Sequence, residues 1–202
     1  MLIQADLHIH TKYSFDSSIN PKTLVDQLYA HPNIKAIAIT DHNTVEGCAK
    51  VGELASAYSD ILVIPGAEIT TPEGDLIVLG IKELPPRPWS VKNVIGFTKE
   101  KGGVVIAAHP CREYGLGSLA RNCTIDAIEI LNGSAPSNVN KLAEDLAKQM
   151  GLPGVAGSDA HNTDGLWTVY TEIHASLEVD EILKAIKKGL VKVSSTGKSI
   201  CF

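Results

Sequence analysis

Short aliphatic runs and helical patterns take turns along this chain, and that alternation limits the folds open to it. Aliphatic runs occur at Leu2–Leu7, Ala36–Thr40, Ile61–Pro65, Leu76–Ile81, Val104–Ala108, Ala127–Leu131, Val155–Gly157 and Thr168–His174. They read as strands buried on both faces. Helical patterns fall between several of them: Pro21–Ala30, Thr44–Tyr58 behind an Asn43 cap, Ser90–Lys101 behind the prolines at 85–88, Ser137–Met150 stopping at Gly151, and Glu178–Lys188. Repeated strand–helix alternation means an α/β fold with a parallel sheet, either open or closed into a barrel. Nothing marks a repeat, a linker or a second domain, so residues 1–202 are expected to form a single domain.

The signatures of nucleotide folds are missing. No G-x-G-x-x-G opens the first crossover, and no G-x-x-x-x-G-K-[ST] occurs. Gly102-Gly103 precedes a strand and reads as a turn. The net charge of −5 argues against a broad basic surface for nucleic acid. No apolar run is long enough for a membrane span. The start MLIQADLHIH lacks the basic, apolar character of a signal peptide. Cys48, Cys111, Cys123 and Cys201 form no C-x-x-C pair and read as reduced thiols, so a cytoplasmic location is expected.

In a barrel the chemistry sits at one end of the strands. Here that is where the reactive side chains fall. The first run ends in Asp6-Leu7-His8-Ile9-His10, and residues two apart in a strand share a face, so His8 and His10 aim together. Later runs end in Asp41-His42, Gly66-Ala67-Glu68, Ala108-His109-Pro110, Glu129-Ile130-Leu131-Asn132 and Gly157-Ser158-Asp159-Ala160-His161, and Gly74-Asp75 opens another. Burying so many imidazoles and carboxylates costs several kcal/mol each unless they are paired or bind metal. Convergent metal ligation explains the pattern better than packing does.

The ordered set DLHIHT with a following Asp16, then ITDH, GAE, AHP and GSDAH, resembles the polymerase-and-histidinol-phosphatase (PHP) family of metal-dependent phosphoesterases, from Asp6 to about Tyr170. The resemblance implies a distorted seven-stranded TIM-like (β/α)7 barrel with a metal site at the C-terminal strand ends. It implies two or three divalent ions, manganese, iron or zinc. His8, His10, Glu68 and Asp159 would hold the first. Glu68 would bridge to the second, completed by His109 and Asp75. Asp16, His42 and His161 would hold the third. Many relatives have histidine where this chain has Asp75, a change that favours Mn²⁺ or Fe²⁺.

The expected activity is hydrolysis of a phosphate ester, a phosphomonoesterase acting on a small metabolite or nucleotide through a metal-bridging hydroxide. Glu68, Asp159 and His161 are the expected catalytic residues. Arg112, three residues past His109, suits bidentate phosphate binding, with Lys12 and Asn132 as further substrate contacts. Asp41 is expected to orient a ligand. Three other readings compete. A nuclease or phosphodiesterase lacks a basic groove here. A non-catalytic RNA-binding barrel would have lost its ligands. A hydrolase of C–N or lactone bonds would want a lysine at a strand end.

Overall fold

A computed structural model describes residues 1–197, so Cys201 lies outside the described residues. The elements run β1 (Leu2–Ile9), α1 (Pro21–Ala30), β2 (Ile34–Ile39), α2 (Glu46–Ala55), β3 (Leu62–Thr71), β4 (Gly74–Leu79), α3 (Val91–Glu100), β5 (Val104–Ala107), a 3₁₀ turn (Gly117–Asn122), β6 (Ala127–Asn132), α4 (Ser137–Met150), β7 (Gly154–Gly157), β8 (Val169–His174), α5 (Val179–Lys187) and β9 (Val191–Ser195). Local chemistry sets several boundaries. Asn20 caps α1 through its side chain, with Pro21 in the first turn. Gly151 ends α4 at φ 66°. α5 carries Asp180 and Glu181 in its first turn and Lys184 and Lys187 in its last, matching the helix dipole.

The strands form one sheet in the order β7-β6-β5-β4-β3-β2-β1-β8-β9. β7 then curls back toward β1. Asp159 N–H donates to the His8 carbonyl at 2.8 Å, and His10 N–H to the Ala160 carbonyl at 3.1 Å. Gly157 makes this approach possible: a Cβ there would lie 2.3 Å from the His8 Cβ. The result is a nearly closed, barrel-like sheet in a mixed α/β fold.

Four features differ from the sequence reading. The sheet holds nine strands, two beyond the expected seven. It is mixed: β4 runs antiparallel to both β3 and β5. Only Pro72 and Glu73 separate β3 from β4, far too little for a parallel crossover of a dozen residues or more. β9, the edge strand beyond β8, is half-exposed and reads VKVSS, so no aliphatic run announced it. Asn43, expected to cap α2, instead sits at φ 58° and accepts from Thr70 N–H at 3.0 Å, and α2 starts at Glu46 without a side-chain cap.

Three apolar clusters hold the sheet. One draws on strands β1 to β8 and on α5, and so fills the inside of the curl. Gly80, at the far end of β4 from Asp75, takes α5 in close contact through Leu183. That leaves the opposite mouth open. The other two clusters seat α1 and α2 on one outer flank and α3 and α4 on the other. β1 shows how the mouth gains its polar lining. Leu7 belongs to the inner cluster but Ile9 to the outer one. Strict alternation would put both on one face. The β1–β2 register breaks between Asp6 and Ile9, so the parity switches, and His8 and His10 turn inward opposite Ile9.

Candidate metal centre

His8 and His10 bring their Nε2 atoms to 3.0 Å of each other. Glu68 Oε2 lies 3.2 Å from both, and Asp159 Oδ1 lies 3.4 Å from His8 Nε2 and 3.3 Å from His10 Nε2. The outer nitrogens have their own partners. His8 Nδ1 meets Glu129 Oε1 at 2.9 Å, which fixes its proton there. His10 Nδ1 meets Ser14 Oγ at 3.1 Å. Ser14 gives its single proton to Asp41 Oδ1, so it must accept from His10. Both Nε2 atoms are thereby lone-pair acceptors, and they face two carboxylate oxygens. Four acceptors converge with no proton among them. The spacing fits a tetrahedron around an ion ~2.0–2.2 Å from each atom, whose edges would be roughly 3.3–3.6 Å.

Glu68 is the hub. Its Oε2 is also 3.4 Å from His42 Nδ1, while its Oε1 meets His109 Nε2 at 2.9 Å. Beside it lie two buried atoms without partners among the described residues, Asp75 Oδ1 and His109 Nδ1. A further group forms at the mouth: Asp16 Oδ2 is 3.5 Å from His42 Nε2 and 3.3 Å from His161 Nε2. His161 Nδ1 pairs with the Asp159 carbonyl at 2.9 Å, so its Nε2 also faces inward as an acceptor. All nine residues expected as ligands thus stand in or beside one continuous cluster.

The charge balance points the same way. Asp6, Asp41, Glu68, Asp75, Glu129 and Asp159 are all buried, and no lysine or arginine is buried among the described residues. Burial opposes a charge on His8 and His10, yet Glu129, Asp159 and Glu68 overcome it at His8, raising it well above its usual value, and Asp159 and Glu68 raise His10 to about 9. Burial works against ionised Glu68 and Asp159 too, but the neighbouring imidazoles hold both well below the ordinary range. Burial, reinforced by Glu68, pushes Asp75 up to about 6. Protons meet this demand only in part, because a proton on each Nε2 would put two hydrogens between nitrogens 3.0 Å apart. The residues fit bound cations. Backbone strain gathers here as well: of the five non-glycine residues at positive φ among the described residues, Asn43, His109, Tyr114 and Asp159 line the cleft over this cluster and Trp167 does not.

The cleft has a volume of about 530 Å³. Arg112 reaches into it, but its Nη1 donates to Asp159 Oδ2 at 2.8 Å and to Asn132 Oδ1 at 3.4 Å. Asn132 is buried under Asp159, and its amide nitrogen donates to Glu129 and Asp159. Neither Asn132 nor exposed Lys12 is part of the cleft wall. Asp41 does support a ligand, through Thr11 and Ser14.

Two contributors had no role assigned from the sequence. Glu129, noted there only as a strand-end acid, holds His8 and takes the His109 backbone N–H at 2.8 Å. Its signal was a charge in the middle of the apolar run A-I-E-I-L. Ser14 links His10, Asp41 and the His42 N–H, and no spacing or periodicity marks it.

A family model described as PHP domain matches residues 6–121, and one described as PHP-associated matches residues 138–191. The uncharacterized protein MJ1587 of Methanocaldococcus jannaschii is 34% identical over 143 residues, covering 64% of this chain and 82% of that protein. Two solved structures share the fold. One is a candidate metal-dependent phosphoesterase of Bifidobacterium adolescentis, at TM-score 0.64 and 19% identity over 78% of this chain and 87% of that one. The other is an amidohydrolase of Chromobacterium violaceum with bound sulfate, at TM-score 0.65 and 17% identity over 79% and 88%.

Proposed function

The chain belongs to the PHP-domain family, and from that premise we propose that this metal-dependent hydrolase is a phosphomonoesterase acting on a small phosphorylated metabolite or nucleotide. One observation carries the reading: buried acceptors converge on Glu68 with no buried lysine or arginine among the described residues to balance them. In this reading His8, His10, Glu68 and Asp159 hold one divalent ion. Glu68 shares a second with His109 and Asp75, and Asp16, His42 and His161 hold a third. The carboxylate-rich set favours manganese or iron over zinc. Such ions would supply positive charge for phosphate oxygens and acidify a water molecule.

The protein's own groups do the rest. Glu129 and Ser14 keep the Nε2 lone pairs of His8 and His10 pointing inward. Arg112, only partly used by Asp159, turns its remaining N–H groups toward the phosphate. His161 has Nδ1 committed to a carbonyl, so Nε2 is the atom it would offer to the third ion. The PHP domain is proposed to span the whole chain, and the protein to work in the cytoplasm. Among the described residues no helix is long and apolar enough to cross a membrane.

The test is a screen of metal-stripped protein with Mn²⁺, Fe²⁺ or Zn²⁺ restored, using p-nitrophenyl phosphate, its bis ester and a panel of phosphorylated metabolites. Metal-dependent turnover of monoesters is the expected result. No turnover of any phosphate ester would overturn the reading, and a preference for the bis ester would replace it with a phosphodiesterase.

A further inference from the structure

Aromatic residues are scarce here, at 5% of the chain. Among the described residues three stand exposed: Phe15 at 90%, Tyr114 at 70% and Tyr29 at 49%. Tyr29 rests against Tyr58, ring centroids 4.3 Å apart, and takes no part in the metal cleft. The other two both line it. An exposed phenyl group is a cost to a soluble surface and, beside a site, a common mark of a binding contact.

Each has a neighbour at the site. The Phe15 ring lies beside the His42 imidazole, centroids 5.6 Å apart and planes 28° from parallel, and stays open to solvent. Tyr114 adopts φ 63°, a conformation that bulky residues avoid. Its carbonyl accepts from Asp75 N–H at 2.7 Å, and the next residue is fixed by Gly115 N–H donating to the Arg112 carbonyl at 3.1 Å. Gly115 packs so tightly that a Cβ would lie 2.5 Å from the His109 carbonyl oxygen. A strained, hydrogen-bonded loop therefore presents an exposed phenol beside the candidate ligands His109 and Asp75.

The remaining wall sets the rest of the specificity. Arg112 is the single lysine or arginine lining the cleft, against the acidic Asp16 and Glu113. That suits one phosphate group and disfavours a second anionic arm. We propose that Phe15 and Tyr114 are specificity-determining residues that stack on a flat ring, so that the substrate is a phosphate monoester carrying an aromatic or heteroaromatic group. This rests on the phosphate-ester reading above.

The test compares phenylphosphonate with methylphosphonate, which differ in the ring and cannot be hydrolysed. Their binding to the metal-loaded protein is measured by calorimetry, with metal content assayed alongside. Wild type is expected to prefer phenylphosphonate by roughly 10-fold or more, and Phe15→Ala and Tyr114→Ala are each expected to cut that ratio roughly 5-fold at unchanged metal content. Tyr29→Ala serves as the control and should keep the wild-type ratio. Equal binding of the two phosphonates, or a ratio that neither cleft variant lowers, would overturn the aromatic assignment alone. Failure of both phosphonates to bind would overturn the phosphate-ester reading and this inference with it.

Discussion

A hydroxyl with one proton and three partners fixes the direction of every hydrogen bond around Ser14. It donates to Asp41, so it accepts from His42 N–H and from His10 Nδ1–H. Removing it frees His10 to rotate or change tautomer. Ser14→Ala should weaken metal binding roughly 10- to 100-fold in a calorimetric titration, and an unchanged affinity would show that Ser14 does not orient His10. Glu68 contacts four imidazoles through its two oxygens. Glu68→Ala should lose bound metal and activity together, and full metal content by elemental analysis would exclude it as the shared ligand. Arg112 touches Asp159 on the side away from His8 and His10. Arg112→Ala should raise KM with metal content unchanged. Lost metal would instead make Arg112 a support for Asp159.

At the scale of elements, helix α2 sits so close to the strand ends that its glycines differ in kind. A Cβ on Gly47 would come 1.8 Å from Asp41 Oδ2 and 2.6 Å from Thr11 Oγ1. Asp41 is the buried acceptor that holds Thr11 and Ser14. Gly52, one and a half turns along, has nothing within 4 Å of such a Cβ. Gly47→Ala should therefore cost about 1–3 kcal/mol through overpacking, whereas Gly52→Ala should stabilise by about 0.4–1 kcal/mol through the unfolded chain. Urea denaturation of the two variants checks the pair, and equal effects would remove the claim that α2 buttresses Asp41. Most elements were legible because a period of two or of 3.6 survives in an aliphatic core. β4 was legible as a strand but its direction was not. β9 was illegible because an edge strand buries too little to show a pattern.

At the scale of the molecule, six buried carboxylates with no buried lysine or arginine among the described residues should make the folded state gain stability from bound cations. A metal present at 100 times its Kd adds about 2.7 kcal/mol of stability, which for a chain of this size is roughly 5–10 °C in Tm. Chelation should lower Tm by about that much, and restoring the metal should recover it. A Tm indifferent to chelator and metal would mean that the acids are accommodated in another way.

Most of the nine ligand candidates stand at or just past a strand end, a local feature of the chain, whereas Asp16, in the loop after β1, was marked only by the resemblance to the PHP family. Their gathering around Glu68 depended on the curl of the sheet. The partners that set each imidazole's proton depended on it more strongly. Glu129 meets His8 across 121 residues, and that contact exists only because β7 returns to β1 over Gly157. Arg112 and Asn132 were expected to contact substrate, and the fold also gives both of them hydrogen bonds to Asp159. The sequence by itself determined the kinds of ligand and their order, since side-chain chemistry and strand periodicity are local. The tertiary structure decided proton placement, charge balance and the cleft wall, since those depend on distances between segments far apart in the chain.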